Sequence, residues 1–243
     1  MISTKKLLIT AISGTIALSS FHTIDDAQAG ERKVYWCYEG SENPSEWGKL
    51  SPEFVTCEIG HSQSPIDIHS FKEKTLSETI YADIEFDYRS TPLEVVNNGH
   101  TIQVNYSQGS SVKINDQKYE LLQFHFHTPS EHTFEGKAYP MEAHLVHQNS
   151  SGEYAVIGLL IKTGQDNQLM KTVWAQIPET GEVKTVRDIS IDVSNFLPAN
   201  QAYYGYQGSL TTSPCSEGVD WYVILVAKYY LTNEFSLPED FIR

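Results

Sequence analysis

From Leu93 onward, apolar and polar residues alternate over short stretches, the two-residue period of half-buried strands. Thr101–Tyr106 follows that period after an Asn97-Asn98-Gly99 turn. Ser111–Asn115, Tyr119–His127, Met141–His147, Tyr154–Lys162 and Trp221–Leu231 are further predicted strands. One segment changes period. Leu169, Met170, Val173, Trp174 and Ile177 recur at helical spacing before Pro178, with Asp166 or Asn167 placed to cap the helix. The stretches 30–65 and 195–220 carry many Pro, Gly and Tyr residues and read as irregular. With no internal repeat, low-complexity tract or linker, the pattern predicts a single domain, mostly β with a few peripheral helices.

Two of these strands carry unusual chemistry. On a strand through residue 127, Gln123, His125 and His127 share one face, and Phe124 and Phe126 take the other. A returning strand at Met141–His147 brings His144 beside them. Three neutral imidazoles converging from two strands leave a fourth tetrahedral position open, the ligand set of a catalytic rather than a structural zinc site. Ligating histidines need their second ring nitrogen held. Gln123 lies two residues before His125 and Glu142 two before His144, so both are placed to do so. His147 falls on the opposite face from His144 and reads as structural, as do His132, His61 and His69. The spacing His125-x-His127-x-x-x-Glu131 also fits the first half of a cupin motif, in which the glutamate is a direct ligand of iron or manganese. Gly136 comes too early for that motif, and no second half restores it.

The N-terminus changes the setting. Lys5-Lys6, an apolar run from Leu7 to about Leu18, and Ala27-Gln28-Ala29 before Gly30 read as a signal peptide over residues 1–29. The run is shorter than the ~20 residues a membrane span needs, and no later segment is long enough. Residues 30–243 are then an exported, periplasmic or secreted domain with no membrane span. A net charge of −14 argues against nucleic acid and anionic membranes as partners. Cys37, Cys57 and Cys215 imply one disulfide and one leftover thiol in an oxidising compartment, and spacing leaves the pairing open.

Six segments in order resemble the α-class carbonic anhydrases over nearly all of residues 30–243: Gln63–Ile68, Asn97–Val104, Gln123–His127, Ser130–His132, Glu142–His147 and Gly208–Gly218. The resemblance implies a large, mostly antiparallel, twisted β-sheet with zinc at the bottom of a conical cleft. It implies a monomer or homodimer that hydrates carbon dioxide reversibly to bicarbonate and a proton, using zinc-bound hydroxide, with a slow esterase side activity. His125, His127 and His144 become the zinc ligands. Thr211 becomes the gatekeeper that donates its hydroxyl proton to Glu131, and His100 the proton shuttle. Val146, Val156, Leu210 and Trp221 match the apolar wall that receives carbon dioxide, with Thr212 beside it. Tyr38, Asn98 and Gln103 match the polar side that orders water. Cys57 and Cys215 match the disulfide of exported members, which leaves Cys37 free. Ser213, Thr128 and Cys37 depart from the common pattern without removing a catalytic group. The rival reading, a relative that has lost catalysis and serves as a binding domain, expects a missing zinc histidine, and all three are present.

Overall fold

The computed structural model describes residues 34–69, 82–164 and 167–227. The predicted leader, residues 1–29, lies outside them, as do Asp166 and the last residues of the strand predicted to reach Leu231. The strands are β1 (Asp67–Ile68), β2 (Ile84–Asp87), β3 (Thr91–Asn97), β4 (Ile102–Asn105), β5 (Ser111–Ile114), β6 (Gln117–His127) and β7 (Thr133–Phe134). They continue as β8 (Lys137–Ala138), β9 (Met141–Gln148), β10 (Tyr154–Ile161), β11 (Val183–Ile191), β12 (Tyr203–Ser209) and β13 (Glu217–Ala227). Short helices α1 (Trp47–Leu50) and α2 (Thr56–Ile59) precede the sheet, and α3 (Gln168–Trp174) follows β10.

One large twisted sheet runs β11-β3-β4-β6-β9-β10-β13-β12, with β5 also paired to β6 and β2 to β5. Every pairing in it is antiparallel except β10 with β13. A small sheet, β1-β7-β8, stands apart. The fold is the mostly β, mostly antiparallel one expected. Two readings need correction. The stretch 195–220 is not irregular throughout, because β12 pairs along β13 from Tyr203 to Ser209. Tyrosines at 203, 204 and 206 supply bulk on both faces, so no alternation shows. The last strand also begins at Glu217, four residues before Trp221.

A bulge decides which way the histidines face. Leu121 opposes His147 and Gln123 opposes Val146, so Leu122 is an extra residue in β6. One inserted residue reverses the alternation. Tyr119 and Leu121 before the bulge therefore share the main core with Phe124 and Phe126 after it. Gln123, His125 and His127 turn to the other side. β10 is buried on both faces, with Ala155, Ile157 and Leu159 in the main core. Val156 and Leu160 join Trp221 and Val223 in a second apolar cluster. That double burial explains its unbroken apolar run.

The predicted helix is α3, capped by Asn167, whose side chain accepts from Met170 N. Leu169, Met170 and Val173 are buried against the main core, each contributing about 1.5–3 kcal/mol.

His147 is fully buried on this core side, Nδ1 facing Ala155 O at 3.3 Å and Nε2 the Tyr88 hydroxyl at 2.9 Å. Burial pushes its pKa down to about 4. Between about 4 and the ordinary histidine value of about 6.5, the unfolded chain binds the proton that the folded chain refuses. Stability is thus full above about pH 6.5 and falls with pH down to about 4, by about 3 kcal/mol in all. Urea midpoints should drop more between pH 7 and 4.5 in the wild type than in His147→Gln. Parallel losses in the two proteins would contradict this.

Candidate metal centre and its pocket

Strand pairing brings the three predicted ligands together. His125 on β6 lies directly opposite His144 on β9. The ring centroids of His125, His127 and His144 are 4.5–5.1 Å apart. One nitrogen from each ring lies within 4.8 Å of the others. Burial pushes His125 down to about 3, the neighbouring His144 adds to the effect, and Glu142 opposes it, so the His125 imidazole is neutral, as a metal ligand must be.

Both predicted supporting side chains are in position. His125 Nδ1 lies 2.9 Å from Gln123 Oε1, which leaves Nε2 with its lone pair directed elsewhere. His144 Nε2 lies 2.9 Å from Glu142 Oε1, which leaves Nδ1 available. Gly158, opposite His144 on β10, makes room for that carboxylate: a Cβ there would sit 3.0 Å from Glu142 Oε1. Glu131 is close to the cluster, Oε1 3.5 Å from His127 Nδ1 and Oε2 4.0 Å from His144 Nδ1. Three imidazole nitrogens this close together, two of them on rings held at the other nitrogen by Gln123 and Glu142, fit a zinc ion.

His132, read from the sequence as structural, was not foreseen as a partner of Glu142. The histidine is fully buried, and its Nδ1 lies 2.7 Å from Glu142 Oε1. Its Nε2 lies 2.6 Å from the Tyr206 hydroxyl, which is 2.8 Å from Ser64 Oγ. Glu142 Oε2 accepts from the backbone N–H groups of Glu131 and His132. Burial pushes the Glu142 carboxyl up, but His132 and His144 together outweigh it and hold it well below the usual range. An anion at this position orients His144 and the loop carrying Glu131 at once.

A cavity of about 250 Å³ opens beside His125 and His144. Val146, Val156, Leu210, Thr211, Thr212 and Trp221 line it. Leu122 and Tyr154 also line it and were not foreseen, Leu122 being the bulge residue. The Trp221 ring packs 4.8 Å from His144 and 4.9 Å from His132, its Nε1 donating to Ser209 O. The Thr211 segment is closed by Leu210 N bonding Ser216 O and Cys215 N bonding Thr212 O. Cys215 is bridged to Cys57 across 158 residues, and Cys37 is free.

The remaining predicted residues lie away from that cavity. The His100 ring stacks on Trp36 at 4.1 Å, with Tyr38 6.4 Å away. Asn98 Oδ1 accepts from the backbone of His100 and Thr101, so this side chain shapes the turn that presents the histidine. Gln103 is in register with His125.

The sequence profile of the eukaryotic-type carbonic anhydrases matches residues 42–234. A carbonic anhydrase of Nostoc sp. is 44% identical over 90% of this chain and 82% of its own. One of Neisseria gonorrhoeae is 41% identical over 91% and 84%. The solved α-carbonic anhydrase of Thermovibrio ammonificans, in complex with the inhibitor sulfanilamide, superposes with a TM-score of 0.75. It is 42% identical, covering 83% of this chain and 88% of its own. Sequence, sheet and histidine cluster agree, and the chain belongs to the α-carbonic anhydrase family.

Proposed function

We propose that this chain hydrates carbon dioxide reversibly to bicarbonate and a proton at a zinc ion held by His125, His127 and His144. The observation that carries the reading is the convergence of these imidazoles, two of them at the wall of a small, largely apolar cavity. Zinc on three imidazoles supplies Lewis acidity that brings a water molecule's pKa near neutrality, for which carbonic anhydrase is itself the standard example.

The protein's own groups do the rest. Gln123 and Glu142 fix the rings of His125 and His144, so those donor nitrogens are ready before metal arrives. A linear apolar substrate needs little binding energy but does need a dry wall, which Val146, Val156, Leu210 and Trp221 supply, with Thr212 beside them. The Thr211 hydroxyl, donating its proton to Glu131, can only accept from the reacting water and so turns a lone pair of that water toward the carbon. The proton released in each turnover leaves through water ordered by Tyr38, Asn98 and Gln103 to His100. Histidine is the side chain suited to take up and release a proton around neutral pH.

His100→Ala should lower kcat in dilute buffer on the order of tenfold, with kcat/KM unchanged and imidazole buffers restoring the rate. An unchanged kcat in dilute buffer would remove the shuttle role from His100. The metal assignment is tested by zinc-edge X-ray absorption on the zinc-loaded protein. The expected spectrum has three imidazole nitrogens and one further light atom. A Glu131 carboxylate in the coordination shell would favour the cupin-like alternative.

The Cys57–Cys215 bridge, the bacterial relatives and the leader read over residues 1–29 together support export to the periplasm or beyond. Among the described residues no helix is long and apolar enough to cross a membrane.

A further inference from the structure

Glu94 on β3 is the fixed end of a directional row of hydrogen bonds that ends at Gln103, the register partner of His125. It stands in register between Thr185 on β11 and Asn105 on β4. Thr185 Oγ1 donates to Glu94 Oε2 at 3.0 Å, and Asn105 Nδ2 donates to Glu94 Oε1 at 2.8 Å. A carboxylate can only accept, so the Asn105 amide must turn its nitrogen to Glu94 and its oxygen away. That oxygen accepts from Gln103 Nε2 at 2.7 Å. Gln103 is turned in consequence, its nitrogen toward Asn105 and its carbonyl Oε1 outward. Amides alone would set no direction, since each offers both a donor and an acceptor.

The row lies on the site's side of the sheet. Register partners share a face, and here Gln103 is opposite His125 and Asn105 is opposite Gln123, which lines the cavity. Gln103 is three residues from His100 along the chain and in register with His125. We propose that Glu94 is a positioning residue for proton export: through Asn105 it fixes Gln103 so that a carbonyl oxygen faces the water between the metal site and His100. The proposal rests on the hydratase reading above.

The test replaces Glu94 with glutamine, which offers Asn105 either an oxygen or a nitrogen and so removes the direction. In the zinc-free wild type, side-chain amide protons of Asn105 and Gln103 should exchange slowly by NMR, and Glu94→Gln should abolish that protection. In the zinc enzyme, kcat in dilute buffer should fall about fivefold, the rate equivalent of one hydrogen bond. Meanwhile kcat/KM should hold, imidazole buffer should restore kcat, and Glu94→Asp should recover most of the loss. Unchanged amide protection, a wild-type kcat in dilute buffer, or an equal fall in kcat/KM would each overturn the proposal. A zinc-loaded wild type with no hydration activity would instead overturn the hydratase reading, and the proposal with it.

Discussion

Replacing His144 with alanine is expected to strip most of the zinc from the protein and to abolish nearly all carbon dioxide hydration. His144 is opposite His125 in the sheet and within 4.8 Å of the other donors, so its loss leaves two ligands on one strand. Two imidazoles hold zinc poorly, and the Glu142 carboxylate would then lie buried with one fewer cationic or donor partner. Removing a residue that merely supports a metal ligand costs about 10–100-fold in affinity or activity, so loss of a ligand should exceed that range. Metal analysis after gel filtration, alongside a stopped-flow hydration assay, gives both readouts. A His144→Ala protein with a full zinc equivalent and wild-type rate would sink the ligand assignment.

The second large effect is on stability. The Cys57–Cys215 bridge closes a loop across 158 residues, which restricts the unfolded chain by an entropic term of about 5 kcal/mol at most. For a chain of this size that corresponds to a melting temperature lower by up to about 10–20 °C in the Cys57→Ser, Cys215→Ser double variant. The bridge also ties the end of the Thr211 segment to α2, beside the bond from Gln63 Nε2 to Cys215 O. A fall in hydration rate should therefore accompany the loss of stability, without loss of zinc. Equal melting curves with and without reductant, or peptide mapping that links Cys37, would contradict this.

What the sequence revealed follows from how local each feature is. Alternation placed Gln123, His125 and His127 on one face and parity separated His147 from His144, because both arguments need only neighbouring residues. The bulge at Leu122 was not legible, since nothing in Leu121-Leu122-Gln123 signals an unmatched residue until β9 lies alongside. His132 was set aside for a similar reason. It sits in a loop, where alternation says nothing, and its partner Glu142 comes from another strand. The cavity wall gathers Val146, Val156, Leu210 and Trp221 from β9, β10, β13 and the loop after β12, and family resemblance rather than pattern found them. Counting three cysteines left the disulfide open, and resemblance chose the pair the structure contains. The row through Glu94 escaped both approaches, because it exists only once β11, β3 and β4 are in register.

The most direct test of the central claim is a zinc titration of the metal-stripped protein, followed by carbon dioxide hydration in stopped flow. Activity should rise in proportion to added zinc and stop at one equivalent per chain. A protein that takes up one zinc yet hydrates no carbon dioxide, or one fully active without metal, would contradict the account.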